Sequence, residues 1–294
     1  MTQAQARLRL ERLLGAGPDA GLAECREIGG QHGVAHYRVT LADGRGVFVK
    51  LGELPARDPA GFEAEALGLR WLGEAGAVPV PEVLGWDEAA LAISWLPQEA
   101  PGQRAAEDFG RDLARMHAAG AQAFGAPWPG SIAGLPLPNG RADSWPQWYA
   151  AERLLPYARI ARDRGSLTAA DVRLVEAAAA AVTGIAGPAE APSRIHGDCW
   201  SGNVLWSGGR GWLIDPAAHG GHRETDLAML ALFGAPYLDR IVACYQEIRP
   251  LAAGWRERVP LHQLHPLLVH VCLFGGSYRA AALDASRAVL RQAS

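Results

Sequence analysis

Lysine and asparagine are almost missing from this sequence of 294 residues. Of its 28 basic residues only Lys50 is a lysine, and its only asparagines are Asn139 and Asn203. An ammonium group is a compact point charge, whereas the guanidinium of arginine is a planar fork of donors, so one does not simply replace the other. We therefore expect Lys50 to occupy a position that requires an ammonium group, and we look for a comparable requirement at the two asparagines.

Other absences exclude whole classes of protein. The four cysteines lie far apart without a Cys-x-x-Cys pair, which disfavours a structural zinc site or a disulfide scaffold and favours a reducing, cytoplasmic location. The net charge is −3 and no run is rich in basic residues, so neither nucleic acid nor an anionic membrane is an expected partner. No apolar run is long enough to cross a membrane. The length predicts one large globular domain or two modest ones.

A glycine-rich segment near the start of the chain precedes two predicted strands. It contains Gly29, Gly30 and Gly33, and the second strand, 47–51, carries Lys50 close to its end. Glycines let backbone N–H groups approach a phosphate, and the ammonium group of such a strand can reach the α- and β-phosphates of a nucleotide. Taken singly, a Gly-Gly-x-x-Gly segment is most often a turn, and a strand lysine is most often a solvated charge.

A predicted helix over 61–75 offers a carboxylate partner for this lysine. The helix contains Glu63 and Glu65. We choose Glu65, because Leu69 and Leu72 follow it at i+4 and i+7 and place it beside the stripe of the helix that is buried.

The last third of the chain carries the most specific pattern. Residues 196–203 read His-Gly-Asp-Cys-Trp-Ser-Gly-Asn, and Asp215 follows twelve residues after Asn203. This spacing matches phosphoryl-transfer enzymes of the protein-kinase type, in which the first Asp accepts the proton of the substrate hydroxyl. In those enzymes the Asn and the later Asp bind Mg²⁺ through hard oxygen atoms. We therefore assign Asp198 as the catalytic base and Asn203 and Asp215 as metal ligands.

A zinc site is the alternative interpretation of the polar residues in this region, which are His196, Asp198, Asp215, His219 and His222. None of them lies on a predicted helix, where ligands at i and i+4 would face the same ion, and a zinc site leaves the single lysine unexplained. We therefore favour the nucleotide site over zinc.

Three neighbouring residues have both a structural and a functional interpretation. We expect His196 to orient the loop rather than to catalyse. Asp226 begins a predicted helix and either caps it or braces the catalytic loop, and we favour bracing. Trp200 lies between the assigned base and the metal-binding Asn203, where it either stacks on a sugar-like substrate or shields the loop.

With these residues in place, nearly the whole chain resembles the fructosamine kinase (ketosamine kinase) family. The segments HGDCWSGN at 196–203, DPA at 215–217 and GHRETDLAM at 221–229 are similar to that family's HGDLWSGN, DPA and GDRExDLAM. The segments FVK at 48–50 and GSIAGLPLPNG at 130–140 also agree with it. Three departures are Leu137 for a usual Gln, Cys199 for Leu and His222 for Asp, and the first of them puts the identity of the substrate in question.

The resemblance implies an α+β fold with two lobes, shared with protein kinases and aminoglycoside phosphotransferases. A small antiparallel β-rich N-lobe with one main helix would span residues 1–96, and a larger α-helical C-lobe would span residues 97–294. The cofactors implied are ATP and Mg²⁺, with the glycine loop, Lys50 and Glu65 at the phosphates. The hinge that meets adenine would comprise Ser94, Trp95 and Leu96.

The implied reaction is phosphorylation of a ketosamine, commonly on the hydroxyl of the third sugar carbon, in a small molecule or on a protein. Such products decompose and release the amine, so the reaction serves deglycation. Trp200 and Asn139 are the candidate substrate residues, although an Asn-Gly turn explains Asn139 equally well. A kinase for an aminoglycoside, choline or another sugar has the same phosphate machinery and remains the alternative. A binding module without catalysis is disfavoured, because Lys50, Asp198 and both assigned metal ligands are present.

Overall fold

The structure is a computed structural model that describes residues 9–14, 21–31, 33–52 and 61–293. Residues 21–94 contain a five-stranded sheet whose neighbouring strands all run antiparallel, in the order β1-β2-β3-β5-β4. Its strands are β1 (Leu22–Gln31), β2 (Val34–Leu41), β3 (Gly46–Gly52), β4 (Val83–Asp87) and β5 (Ala90–Ser94).

Both faces of this sheet are covered, and side-chain alternation decides which residues meet which cover. Val39 and Val49 are fully buried on one face. On the other face Phe48 and Ile93 pack against the helix α1 (Gly61–Gly73). Because side chains two residues apart on a strand share a face, Lys50 projects from the same face as Phe48. The lysine therefore points toward the helix that carries its predicted partner.

The rest of the described chain is mainly helical. Its helices are α2 (Gln103–Ala118), α3 (Trp145–Trp148), α4 (Leu155–Asp163), α5 (Ala169–Ile185), α6 (Glu224–Leu232), α7 (Leu238–Ile248), α8 (Trp255–Phe274) and α9 (Arg279–Ala293). A π-helical segment, Tyr149–Leu154, joins α3 to α4. None of the helices within the described ranges is both long and apolar enough to span a membrane.

Three two-stranded sheets lie among these helices. They pair β6 (Gly130–Ile132) with β7 (Leu135–Leu137), β8 (Ser193–Ile195) with β11 (His219–Gly221), and β9 (Val204–Ser207) with β10 (Arg210–Leu213). One large apolar core joins α3, α4, α5, α8 and α9. A second lies between α2, α6, α7 and the β9–β10 hairpin. The two segments that carry the predicted polar residues begin where β8 and β10 end.

The observed elements agree with the predicted architecture, and the differences lie in strands. The helix expected at 61–75 and the mainly helical C-terminal part are present, and β4 forms an edge of the sheet. The short strands β9 and β11 were not predicted. The strand β1 was not predicted, because most of its side chains are exposed and its sequence shows no apolar alternation. The segment 125–146, which is rich in Gly, Pro and Trp, contains the β6–β7 hairpin, whose three-residue strands are too short for a periodic signal.

Candidate active site

Lys50 lies at the centre of a three-residue ion cluster. Its Nζ is 2.9 Å and 2.8 Å from the two carboxylate oxygens of Glu65, and 2.7 Å from Oδ1 of Asp215. Glu65 comes from α1, whereas Asp215 follows β10, so the cluster joins the large sheet to the helical part of the chain. The choice of Glu65 over Glu63 agrees with this geometry. Three oxygen atoms within 3 Å of a single nitrogen suit an ammonium group better than a planar guanidinium.

The electrostatics of this cluster favour the charged lysine. Burial alone would lower the pKa of Lys50, but the negative charges of Asp215 and Glu65 outweigh it, so the pKa is raised above its usual value. At Asp215, burial would raise the pKa, and the ammonium group of Lys50 lowers it instead. Asp215 also has a backbone φ of 53°. A non-glycine residue seldom adopts this left-handed conformation, which is concentrated at functional sites.

The catalytic-loop motif folds into a compact unit around Asp198. The side-chain amide of Asn203 donates to Oδ2 and to the backbone carbonyl of Asp198, both at 2.9 Å. Asn203 is buried in a short 3₁₀ turn, Ser201–Asn203, that begins just after Trp200. Because its amide nitrogen is used in this way, its Oδ1 is the atom left to bind a cation. The five-residue spacing of the motif is what lets the two side chains meet.

Asp198 has the acid–base property expected of a general base. Burial raises its pKa to about 7; the hydrogen bond from Asn203 opposes this shift, and the nearby charges of Asp215 and Asp226 add to it. A base whose pKa lies near neutrality combines a useful fraction of the deprotonated form with a real affinity for a proton.

Asp226 supports the catalytic loop from below. Its carboxylate is completely buried and accepts hydrogen bonds from the backbone N–H groups of His196, at 2.7 Å, and Gly197, at 2.9 Å. The ring of His117 on α2 lies 3.1 Å from the same carboxylate, and its other nitrogen is 2.9 Å from the hydroxyl of Tyr245. The favoured interpretation of Asp226 as a brace therefore agrees with the structure. His117 was not predicted, because one histidine on an apolar helix face carries no distinguishing signal.

His196 is a structural residue in this arrangement. Its Nδ1 accepts from the backbone N–H of Asp198 at 3.2 Å, and its Nε2 lies 2.9 Å from the carbonyl of Ile214. This pattern requires the neutral ring with the proton on Nε2, which is consistent with the pKa of His196 being lowered by burial. The ring thus ties the catalytic loop to the strand that leads into Asp215.

The predicted zinc alternative finds no support in the described residues. Both ring nitrogens of His196 are engaged, and Nδ1 of His219 bonds the carbonyl of Ala217 at 2.7 Å. A different group, His222, Glu224 and His262, has ligand atoms within 4.8 Å of one another. Its carboxylate, however, is held by the guanidinium of Arg258 at 2.6 Å and 2.9 Å, which opposes a second cation there.

The glycine segment forms the tip of the β1–β2 hairpin. Gly29 lies at a bulge with φ 143° and Gly33 at the turn with φ 81°, and a Cβ added to either would meet no atom within 4 Å. Gly30 has a different constraint, because a Cβ there would lie 2.5 Å from the carbonyl oxygen of Val34. The open sides of Gly29 and Gly33 leave their backbone accessible to a ligand.

The predicted hinge residues leave the sheet at the end of β5. The backbone N–H of Ser94 donates to Glu82, and that of Trp95 donates to Gly46 at 3.0 Å. Within the described backbone only Leu96 of the three keeps an unbonded N–H. The indole of Trp95 lies under the guanidinium of Arg38, 4.7 Å from it.

The two candidate substrate residues have different surroundings. Trp200 is 38% exposed beside Asp198, and its ring meets Phe233 edge to face at 5.9 Å. Asn139 is engaged within the protein: its Oδ1 accepts from Arg153 at 2.8 Å and its amide lies 3.5 Å from the carbonyl of Trp128. Residues 138–140 do not form the expected Asn-Gly turn, because Asn139 is held by Arg153 instead, and its role toward substrate stays a prediction.

A mixed sheet and helix architecture with this Lys–Glu–Asp cluster and looped Asp–Asn pair is that of a protein-kinase-like phosphotransferase. Solved macrolide and aminoglycoside phosphotransferases share the fold at 17% identity, with TM-scores of 0.61 for one from Brachybacterium faecium and 0.66 for APH(4)-Ia.

Closer relatives narrow the class. A solved Thermobifida fusca protein described as a fructosamine-3-kinase is 53% identical, with a TM-score of 0.92 over 99% of this chain and 100% of that one. A Synechocystis sp. protein named as a ketoamine kinase is 32% identical over 92% of this chain and 91% of its own. The protein-ribulosamine 3-kinase of Arabidopsis thaliana chloroplasts is 30% identical over 85% and 77%. The family model for fructosamine kinase matches residues 14–292, and the chain belongs to that family.

Proposed function

We propose that this protein transfers the γ-phosphoryl group of ATP to a sugar hydroxyl of ketosamines, the one on the third carbon, and so serves deglycation. The observation that carries the proposal is Asp198, held by Asn203 beside the Lys50–Asp215 pair, in a chain of the fructosamine kinase family. Relatives named for fructosamine and ribulosamine supply the substrate class. The ketosamine is a small molecule or is attached to a protein.

Asp198 acts as the general base. In the proposed step its carboxylate takes the proton of the sugar hydroxyl while the oxygen forms its bond to the γ-phosphorus and the bond to ADP breaks. The amide of Asn203 fixes the orientation of the carboxylate, and Asp226 fixes the backbone beneath it. Placement of this kind accounts for much of phosphoryl-transfer catalysis, since little covalent chemistry is asked of the protein.

The residues present fit Mg²⁺ and a nucleotide. Oδ1 of Asn203 and the carboxylate of Asp215 are hard oxygen donors of the kind Mg²⁺ prefers, and they are the residues that would hold it. When bound, Mg²⁺ supplies positive charge that offsets the charge of the phosphates. Lys50, kept charged by Glu65, would bind the α- and β-phosphates as a point charge.

The remaining nucleotide contacts are assigned to two backbone segments. The hairpin tip with Gly29, Gly30 and Gly33 would cover the phosphates, with its open glycine positions facing them. The segment Ser94, Trp95 and Leu96 would meet the adenine, and the free N–H of Leu96 is the donor we assign to the base. We take this segment as the junction of an N-lobe, 1–96, and a C-lobe, 97–294.

Trp200 is assigned to the sugar. Its exposed indole beside the base offers a flat apolar surface to the face of a sugar ring. Replacement of Trp200 by Ala is expected to raise KM for a ketosamine about 10-fold or more while leaving KM for ATP unchanged. We assign the reaction to the cytoplasm, in keeping with four cysteines none of which is in a disulfide.

An ADP-release assay on purified protein tests the proposed function. Fructosyl-lysine and ribulosyl-lysine are compared with choline, aminoglycosides and other amino alcohols at matched concentrations. We expect turnover on the ketosamines and at most a trace on the amino alcohols. Turnover on amino alcohols alone would replace the ketosamine assignment with the related small-molecule kinase.

The base assignment has its own control. Asp198→Asn should lower kcat by roughly 10²–10⁴-fold, the usual contribution of a general base. Asp163→Asn is the matched variant, because Asp163 is an exposed carboxylate whose partner among the described residues is its neighbour Arg162. Unchanged kcat in Asp198→Asn would remove Asp198 from the chemistry.

A further inference from the structure

Three arginines are buried in the described part of the chain, and one of them lacks a carboxylate partner. Arg258 contacts Glu224 at 2.6 Å, and Arg223 contacts Glu190 at 2.7 Å, in each case through two guanidinium nitrogens. Arg153 is 1% exposed, yet no described carboxylate lies within 4.0 Å of its guanidinium. Burying an uncompensated charge is unfavourable, so the exception needs an explanation.

The contacts of Arg153 are all with neutral groups. Its terminal nitrogens donate to the carbonyls of Pro138 and Glu152 and to Oδ1 of Asn139, and its guanidinium lies 4.3 Å from the ring of Trp148. Its Nε is buried and has no hydrogen-bond partner among the described residues. The guanidinium therefore has no described carboxylate in direct contact, and one of its donors remains unused.

Arg153, which carries this unused donor, lines a small cavity. The cavity is also lined by His219 and by His265, and the Nε2 of His265 is a second buried polar atom for which the described residues offer no partner. Trp145 and Trp148 form apolar walls. The volume is about 10 Å³, which is room for one particle the size of a water molecule or a monatomic ion.

We propose that this cavity binds a monatomic anion of the halide class, chloride being the natural example. The Nε–H of Arg153 and an Nε2–H of His265 are the two donors, and the arginine charge is the attraction. A phosphate or a substrate carboxylate is too large for the volume. An anion gains the attraction of the Arg153 charge, which a neutral water molecule does not.

Burial keeps His219 and His265 neutral and leaves Arg153 as the charged group of the cavity, which supports an anion site. The pKa of His219 is lowered to about 3 and that of His265 falls well below its usual value, first through burial and then through the positive charge of Arg153. Both rings are therefore neutral. Nδ1 of His219 donates to the carbonyl of Ala217, so its Nε2 can only accept, whereas His265 can carry its proton on Nε2. Arg153 itself stays charged at neutral pH, because burial lowers its pKa only to about 10.

The cavity lies next to the catalytic loop, so a bound anion would affect the structure of the proposed active site. It lies between the segment Tyr149–Leu154, helix α8 and Gly197, the residue that precedes the assigned base. A bound anion would hold these three elements together from beneath the catalytic loop. The inference adds a ligand to the protein and does not depend on which sugar is phosphorylated.

Thermal unfolding in sodium chloride and in sodium gluconate at equal ionic strength tests the proposal. Because a ligand that binds only the folded state stabilises it in proportion to the logarithm of its concentration above Kd, each tenfold rise in chloride should raise Tm by about 3 °C. Bromide should act similarly, and crystals grown in bromide should show one anomalous peak between Arg153 and His265.

Two variants and one control assign the effect to the cavity. Arg153→Gln and His265→Leu should remove the difference between chloride and gluconate. Arg164→Gln should keep it, because Arg164 also donates to a carbonyl, that of Cys272, but does not line the cavity. If Arg153→Gln does not fold, His265→Leu and the bromide crystals decide. Equal Tm values in the two salts, or a cavity without an anomalous peak, would overturn the proposal.

Discussion

The replacement Asp226→Asn tests the idea that the carboxylate of Asp226 positions the catalytic loop. The carboxylate is completely buried and accepts two backbone N–H groups, those of His196 and Gly197, and faces the ring of His117. An asparagine offers one oxygen and one NH₂ group, so one backbone N–H must face another donor. The variant thus loses a charge-assisted hydrogen bond, worth about 1.5–3 kcal/mol, and leaves a buried N–H unsatisfied at about 1–3 kcal/mol.

The expected loss in the free energy of unfolding is therefore about 3–5 kcal/mol, measured by urea denaturation. At a temperature where the variant is folded, kcat should fall about 10–100-fold, because a displacement of the base by about 1 Å is enough to produce such a loss. Affinity for ATP should stay within a factor of two. Tyr245→Phe removes the outer partner of His117 and leaves Asp226 intact, so it should have a much smaller effect.

Loss of stability with unchanged kcat in Asp226→Asn would refute the reasoning. The carboxylate would then hold the fold together without setting the position of Asp198. A fall in ATP affinity as large as the fall in kcat would equally contradict it, because the brace touches the loop and not the assigned nucleotide contacts.

Three further predictions follow from the same contacts. Because folding raises the pKa of Asp198 to about 7, the stability linked to its protonation is complete below about pH 4 and is lost as the pH rises through 7. The variant Asp198→Asn should therefore have a higher Tm than wild type at pH 8, by a margin that shrinks toward pH 4. Parallel curves of Tm against pH would contradict this. Lys50→Met should lower kcat/KM for ATP about 10²-fold and Lys50→Arg should not restore it, whereas full activity of Lys50→Arg would show that the ammonium group is not required. After incubation with glucose, peptide mapping should find no adduct on Lys50, the single lysine of the sequence. Its side chain is protected because the residue is 9% exposed and held by two carboxylates. An adduct on Lys50 would show that this ion cluster opens.

The proposed site residues could be predicted from the sequence where the motif has a fixed spacing. The motif at 196–203 and the later Asp215 could be read directly, and the i+4 and i+7 leucines correctly pointed to Glu65 as the partner of Lys50. The α+β architecture followed from the change between strand and helix patterns and from the resemblance to a family. These features are local in sequence or depend on periodicity, and both kinds of signal survive without a structure.

Other parts of the molecule could not be foreseen for physical reasons. The edge strand β1 exposes most of its side chains and so lacks an apolar pattern. His117 reaches Asp226 across 109 residues of sequence, and no local signal marks such a contact. Whether the buried Arg153 contacts a carboxylate depends on which residues fold near it, and composition alone contains no information about that.

The position of the new phosphate ester is the most direct test of the proposed phosphorylation of ketosamines. Fructosyl-lysine and ribulosyl-lysine are incubated with the enzyme and ATP, and the products are examined by phosphorus and carbon NMR. We expect one ester, on the hydroxyl of the third sugar carbon. Wild type and Asp163→Asn should both form it, and Asp198→Asn should not. An ester on another hydroxyl, or no phosphorylated ketosamine at all, would contradict it.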